Sequence, residues 1–224
     1  MPEKHLERKL GSVVVMPDFL IDRVIKLKSK EQFIAEIDKK VKFGRGSIRG
    51  IHSVERRGGN AVNIAYCLAK LGVKTKLFTV ASQSGRALLE KIFSKYEDVA
   101  TVHVSSGRHG LTTALEFLDT EGKKANVMLN DSGGNERFGS DRISSKEYLE
   151  ILNKAAAVVV VNWGSNPFGS ELYAYLKNPL EIVVYLFSNY VPNEYLVISR
   201  RSTDWSFPFA TTISYLSQNS NQLF

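Results

Sequence analysis

The chain has 224 residues, 30 Lys+Arg against 23 Asp+Glu, and a single cysteine. One cysteine excludes a disulfide framework and a cysteine-rich zinc module, and no apolar run approaches the ~18 residues of a membrane span. The polar start has no signal-peptide core, so the chain reads as a soluble protein of a reducing, cytoplasmic compartment. Ser12 to Met16 is a β-branched apolar run and predicts a buried strand, broken by Pro17 and Asp18. Phe19 to Leu27 continues as a second extended stretch, and residues 28–40 place Phe33, Ile34 and Ile37 at helical spacing. Five glycines between residues 44 and 59 mark a loop-rich region with extended pieces.

A helix is predicted over 61–71, with Ala61, Ile64, Ala65, Leu68 and Leu71 on one face and Gly72 as its stop. Lys76 to Val80 then reads as a strand and Gly85 to Tyr96 as a helix. This alternation is the rhythm of a parallel sheet covered by helices. Thr101 to Val104 and Thr113 to Leu118 read as strands, and Asn126 to Leu129 as a hairpin partner across Gly122. Lys146 to Asn153 and Glu171 to Leu176 are predicted helices flanking an apolar strand at Ala155 to Val161. Further strands are predicted at 182–187 and 194–199.

The composition changes near residue 177. Only six of the last 48 residues are charged, three of each sign, so the whole net charge of +7 belongs to the first 176. No glycine lies beyond Gly169. Residues 1–180 and 181–224 therefore need separate readings.

The stretch Arg57-Gly58-Gly59-Asn60-Ala61-Val62-Asn63-Ile64-Ala65 is the most informative. Two glycines at a helix start allow a close backbone approach, and the first helical amides are expected to be unpaired and to point at a ligand. Asn63 offers a donor and an acceptor to a hydroxyl group. A tight loop with an ordinary helix start is the other reading of the same residues.

Gly58, Gly59, Ala61, Asn63, Ala65 and Gly72 together resemble the N-terminal signature of the ribokinase-like (PfkB) carbohydrate kinases. Gly133-Gly134-Asn135 resembles a second element of that family, and Thr79 to Gly85 resembles a third only loosely, lacking its acidic residue. The resemblance covers about residues 12–176. It implies a doubly wound α/β/α sandwich with a small β lid, C-terminally incomplete here, and a sugar or nucleoside held between lid and sheet. It places Asp22, with Asp18 as runner-up, and Gly58, Gly59 and Asn63 on that substrate. It also implies ATP and Mg²⁺ as phosphoryl donor, and a lid whose edge offers a route to a homodimer.

The family's chemistry rests on a C-terminal Asp-Thr-x-Gly-Ala-Gly-Asp-type motif, whose glycines form an anion hole and whose last aspartate acts as base. No such motif occurs in this chain, so no catalytic residue is assigned. Residues 181–224 are expected not to be the family's own C-terminal region, as a shifted reading frame or a truncated gene would produce. The kinase is then expected to be impaired, with a non-catalytic sugar- or nucleoside-binding protein as the alternative. Lys39, Lys40, Lys42, Arg45, Arg49, Arg56 and Arg57, opposed only by Glu55, form a basic stretch that suits a phosphate or is a solvated face. It has a single interleaved aromatic, Phe43, and no nucleic-acid motif, which argues against nucleic acid. His5, His52, His103 and His109 show no metal-ligand spacing.

Overall fold

A computed structural model describes residues 11–118, 122–162, 166–180, 182–185 and 196–200. Two sheets organise them. The larger contains β1 (Val13–Met16), β4 (Thr75–Ala81), β5 (Ala100–Ser106), β8 (Ala157–Val160), β9 (Ile182–Tyr185) and β10 (Leu196–Arg200), in the order β5-β4-β1-β8-β10-β9. The strands from β5 through β8 run parallel. The last two form an antiparallel extension, β10 against β8 and β9 against β10.

Near-continuous apolar runs make the parallel strands because both of their faces are covered. Val13 and Val15 pack on one side with Ala61, Ala65 and Leu68 of α2 (Asn60–Lys70) and Leu89 and Phe93 of α3 (Gln83–Phe93). Val14 and Met16 face the other side, against Leu152 of α4 (Lys146–Lys154) and Leu172 and Leu176 of α5 (Gly169–Leu180). A one-residue slip of β1 would exchange these two cores. The result is the α/β/α sandwich expected from the sequence. Leu71, assigned to the packed face of its helix, is instead 58% exposed, because α2 ends at Lys70 and Leu71 sits in the turn before Gly72.

The smaller sheet has the order β3-β2-β6-β7, from β2 (Leu20–Lys26), β3 (His52–Gly58), β6 (Gly110–Leu118) and β7 (Lys124–Asp131). Its strands are inserted just after β1 and just after β5, so it projects from the carboxyl ends of the parallel strands as a lid. The helix α1 (Lys30–Lys42) lies in the same insertion and buries none of its residues; Phe33 touches Phe117, while Ile34 and Ile37 stay exposed. Among the described residues, no helix is long and apolar enough to cross a membrane.

Candidate functional site

The order of the large sheet reverses at β1. The chain steps from β1 outward to β4 and β5, then returns to lay β8 on the other side of β1. In open parallel sheets such a reversal leaves a crevice beyond the strand carboxyl ends, where ligands bind. Asp18 follows β1 and Asn162 follows β8, so both stand at this crevice.

The lid closes over it. Strand periodicity and register bring three rows of side chains to one lid face: Asp22, Thr112 and Asn130; then Val24, Ala114 and Met128; then Lys26, Glu116 and Asn126. Except for Lys26, all of these line a cavity of about 570 Å³, together with Asp18, Gly59, Asn60, Asn63 and Asn162. That is an ordinary size for a small-molecule site.

The sequence-derived residues fall as follows. Asp22, Gly59 and Asn63 share this cavity. Asp22 is half-buried, and burial pushes its carboxyl above the usual range while the Thr112 hydroxyl pulls it back. Asn63 accepts from Arg57 Nε at 3.2 Å, so its amide is oriented before any ligand arrives. The Arg57 guanidinium also lies 3.9 Å from the centre of the Tyr66 ring, a cation–π geometry.

Gly58 stands behind the wall rather than in it. A Cβ there would overlap the Asp22 carboxylate. That obstruction is the mobile end of a side chain, so Gly58→Ala is expected to leave the urea midpoint nearly unchanged while turning Asp22 away from the cavity. The expected result is at least tenfold weaker ligand binding in calorimetry; wild-type affinity would show that Gly58 does not set the position of Asp22.

The helix amides behave differently from the sequence expectation. The first two are not open to a ligand. Asn60 N donates to Asp18 Oδ2 at 2.8 Å and Ala61 N to Oδ1 at 2.9 Å. Asn162 Nδ2 donates to the same carboxylate, and Asn60 Nδ2 donates to Asn162 Oδ1 at 2.9 Å. Asp18 is 3% exposed, and burial raises its pKa to about 6 against the pull of those amides. The chain thus supplies its own anion to the N-terminus of α2. Asp18 therefore serves as a cap, and Asp22 is left as the lid acid facing the cavity.

Asn162 holds φ 55°, the one positive value at a non-glycine position among the described residues. Asparagine tolerates this conformation better than most residues. Trp163, which follows Asn162 in the chain, lies outside the described residues, as does Asp204, the one aspartate after residue 180. Asn135, from the Gly133-Gly134-Asn135 element, is buried. Its Nδ2 donates to Phe19 O at 3.0 Å and its Oδ1 accepts from Val80 N at 3.3 Å, tying the start of the lid to β4. The Ser82 loop turns elsewhere: Ser82 caps α3 through Gly85 N and lies 3.0 Å from His109 Nδ1. Among the described residues no group of three or more His, Cys, Asp or Glu side chains is placed to hold a metal ion.

The same sandwich and lid occur in solved sugar kinases. The chain matches the fructokinase of Xylella fastidiosa with a TM-score of 0.51 and 15% identity, over 76% of this chain and 47% of that one. It matches the ribokinase of Giardia lamblia with a TM-score of 0.50 and 15% identity, over 75% and 48%. The chain has the ribokinase-like fold. It spans about half the length of these structures. No protein-family model matches the chain, and no curated protein matches its sequence. In this ribokinase-like chain the cavity lies between lid and sheet, where the sequence resemblance looked for a substrate.

Proposed function

We propose that this chain carries the substrate-binding half of an ATP-dependent phosphotransferase acting on a hydroxyl of a sugar or nucleoside. Asp22 and the amide of Asn63 would hold substrate hydroxyls, with Gly59 giving close backbone approach. The observation that supports this is their convergence, from β2 and α2, on one cavity under the lid of a ribokinase-like fold.

In the complete reaction the substrate oxygen attacks the γ-phosphorus of Mg²⁺-bound ATP, the bond to the β,γ-bridging oxygen breaks, and the hydroxyl proton passes to a base. The protein's part is positioning and charge stabilisation. This chain has no Gly-Ala-Gly-Asp segment to cradle the transferred charge or take the proton. Asp18 does not substitute for that base, because both of its oxygens already accept amides. The chain is therefore expected to bind its substrate and to transfer phosphate weakly or not at all.

The non-catalytic alternative, a sugar- or nucleoside-binding protein, rests on the same missing segment. Calorimetry beside a coupled ATP-consumption assay over a panel of sugars and nucleosides separates the two readings from an active kinase. Binding without turnover is the expected result, and Asp22→Ala should weaken it by about ten- to a hundredfold, the worth of a hydrogen bond to a charged group. Turnover near that of an intact kinase would overturn the expectation of impairment. A cytoplasmic location fits this reading, and all eight residues of β7 at the lid edge are exposed, open to pairing with a second copy.

A further inference from the structure

The chemistry of the cavity narrows its ligand further, a step that rests on reading the cavity as the sugar or nucleoside site. Although the chain carries a net charge of +7, the described walls hold carboxylates at Asp18, Asp22, Glu116 and Glu136 and no lysine, arginine or histidine. The cations whose backbone lies nearest are not part of that wall. Arg57 is engaged with Asn63 and Tyr66. Arg56, the cross-strand neighbour of Asp22, is exposed on the same lid face and is not part of the cavity wall. Arg108 is held by both oxygens of Asp131. Lys26, beside Glu116 in the outer lid row, stands outside the wall.

A helix N-terminus is the other common anion site, and here it is filled. The first two amides of α2, of Asn60 and Ala61, are already given to Asp18. A phosphate entering this cavity would give up hydration and meet a wall whose charged side chains are all carboxylates. The remaining polar groups suit a different ligand. Asn63, Asn126, Asn130 and Thr112 each both donate and accept, as a hydroxyl does, whereas phosphate oxygens at neutral pH mainly accept. The middle lid row of Val24, Ala114 and Met128 adds an apolar surface for the flat or aliphatic side of a ring.

We propose that the cavity selects an uncharged, polyhydroxylated ligand with one apolar face and rejects the phosphorylated form of the same compound.

Calorimetric titration of the full chain with matched pairs tests this: ribose against ribose 5-phosphate, fructose against fructose 6-phosphate, and adenosine against adenosine 5′-monophosphate. The phosphorylated member is read by its displacement of the neutral one, so that anions on the basic stretch outside the cavity do not count. The expected result is at least a tenfold preference for the neutral member of the pair that binds. Equal or tighter binding of the phosphorylated member overturns the selectivity and leaves the cavity a carbohydrate or nucleoside site. No binding by either member of any pair removes that site reading and the selectivity with it. Asn130→Arg, at an exposed position of the lid edge, adds a guanidinium to the wall and should reduce the preference at least tenfold. An unchanged preference in that variant would show that charge is not its source.

Discussion

Gly59→Ala is expected to destabilise the fold by about 4 kcal/mol, and Gly72→Ala by only about 1 kcal/mol. Both glycines have positive φ, 93° and 76°, so alanine meets a similar backbone penalty at each. They differ in what a Cβ would meet. At Gly72 nothing lies within 4 Å. At Gly59 the Cβ would stand 2.5 Å from the carbonyl oxygen of Asp18 and 3.0 Å from Phe19 Cα. These are backbone atoms of the link between β1 and β2, which cannot rotate aside as a side chain can. The variant must move either that link or the start of α2. Because folded domains are stable by only about 5–15 kcal/mol, this is a large share of the total. Urea unfolding of the two variants at one pH is the measurement. Equal costs would mean that the close approach at Gly59 relaxes easily and does not hold Asp18 over the amides of Asn60 and Ala61.

That contact explains what could and could not be read before the structure. The parallel strands were legible because burial on both faces demands runs such as Val13-Val14-Val15 and Val158-Val159-Val160, and few other environments do. The glycine pair was legible because positive φ and close approach leave only glycine. The roles of Asp18 and Asp22 were not separable along the chain. They lie four residues apart just after the break at Pro17, and β2 begins between them, which resets the strand phase. Only the pairing of β2 with β6 places Asp22 beside Thr112, and only the return of the chain at α2 brings two amides onto Asp18.

The rest of the site is built from residues distant in sequence. Asn162 reaches Asp18 across 144 positions, and Asn130 joins the row of Asp22 through two strand registers. Each looks locally like a loop or turn residue. Sequence periodicity could place Asn126, Met128 and Asn130 on one side of their strand, but could not say which side faces the cavity. The amphipathic spacing of Phe33, Ile34 and Ile37 did produce a helix, α1, but no core lies beneath it. Helical spacing fixes a face, and a partner surface must exist elsewhere for that face to be buried.

Asp18 should make stability fall as pH rises between about 4 and 7, by about 2.5 kcal/mol. Its folded pKa is raised from 3.8 to about 6, chiefly by burial, so between those values the folded state binds the proton more tightly than the unfolded chain. The contribution is fully present below pH 3.8 and is lost as pH passes through about 6. Asp22 shifts in the same direction and Asp131, beside Arg108, in the opposite one, so the whole-protein curve mixes several groups. The difference between wild type and Asp18→Asn isolates the term. Asparagine keeps a carbonyl for one helix amide and does not titrate. The urea-derived stability of wild type relative to Asp18→Asn should therefore decline by about 2.5 kcal/mol from pH 4 to pH 7. A constant difference would mean that Asp18 remains ionised at pH 4, with the amides of Asn60 and Ala61 outweighing burial. That outcome would also raise the negative charge facing a ligand in mild acid. The expected outcome instead removes the buried Asp18 charge from the cavity wall as pH falls through about 6.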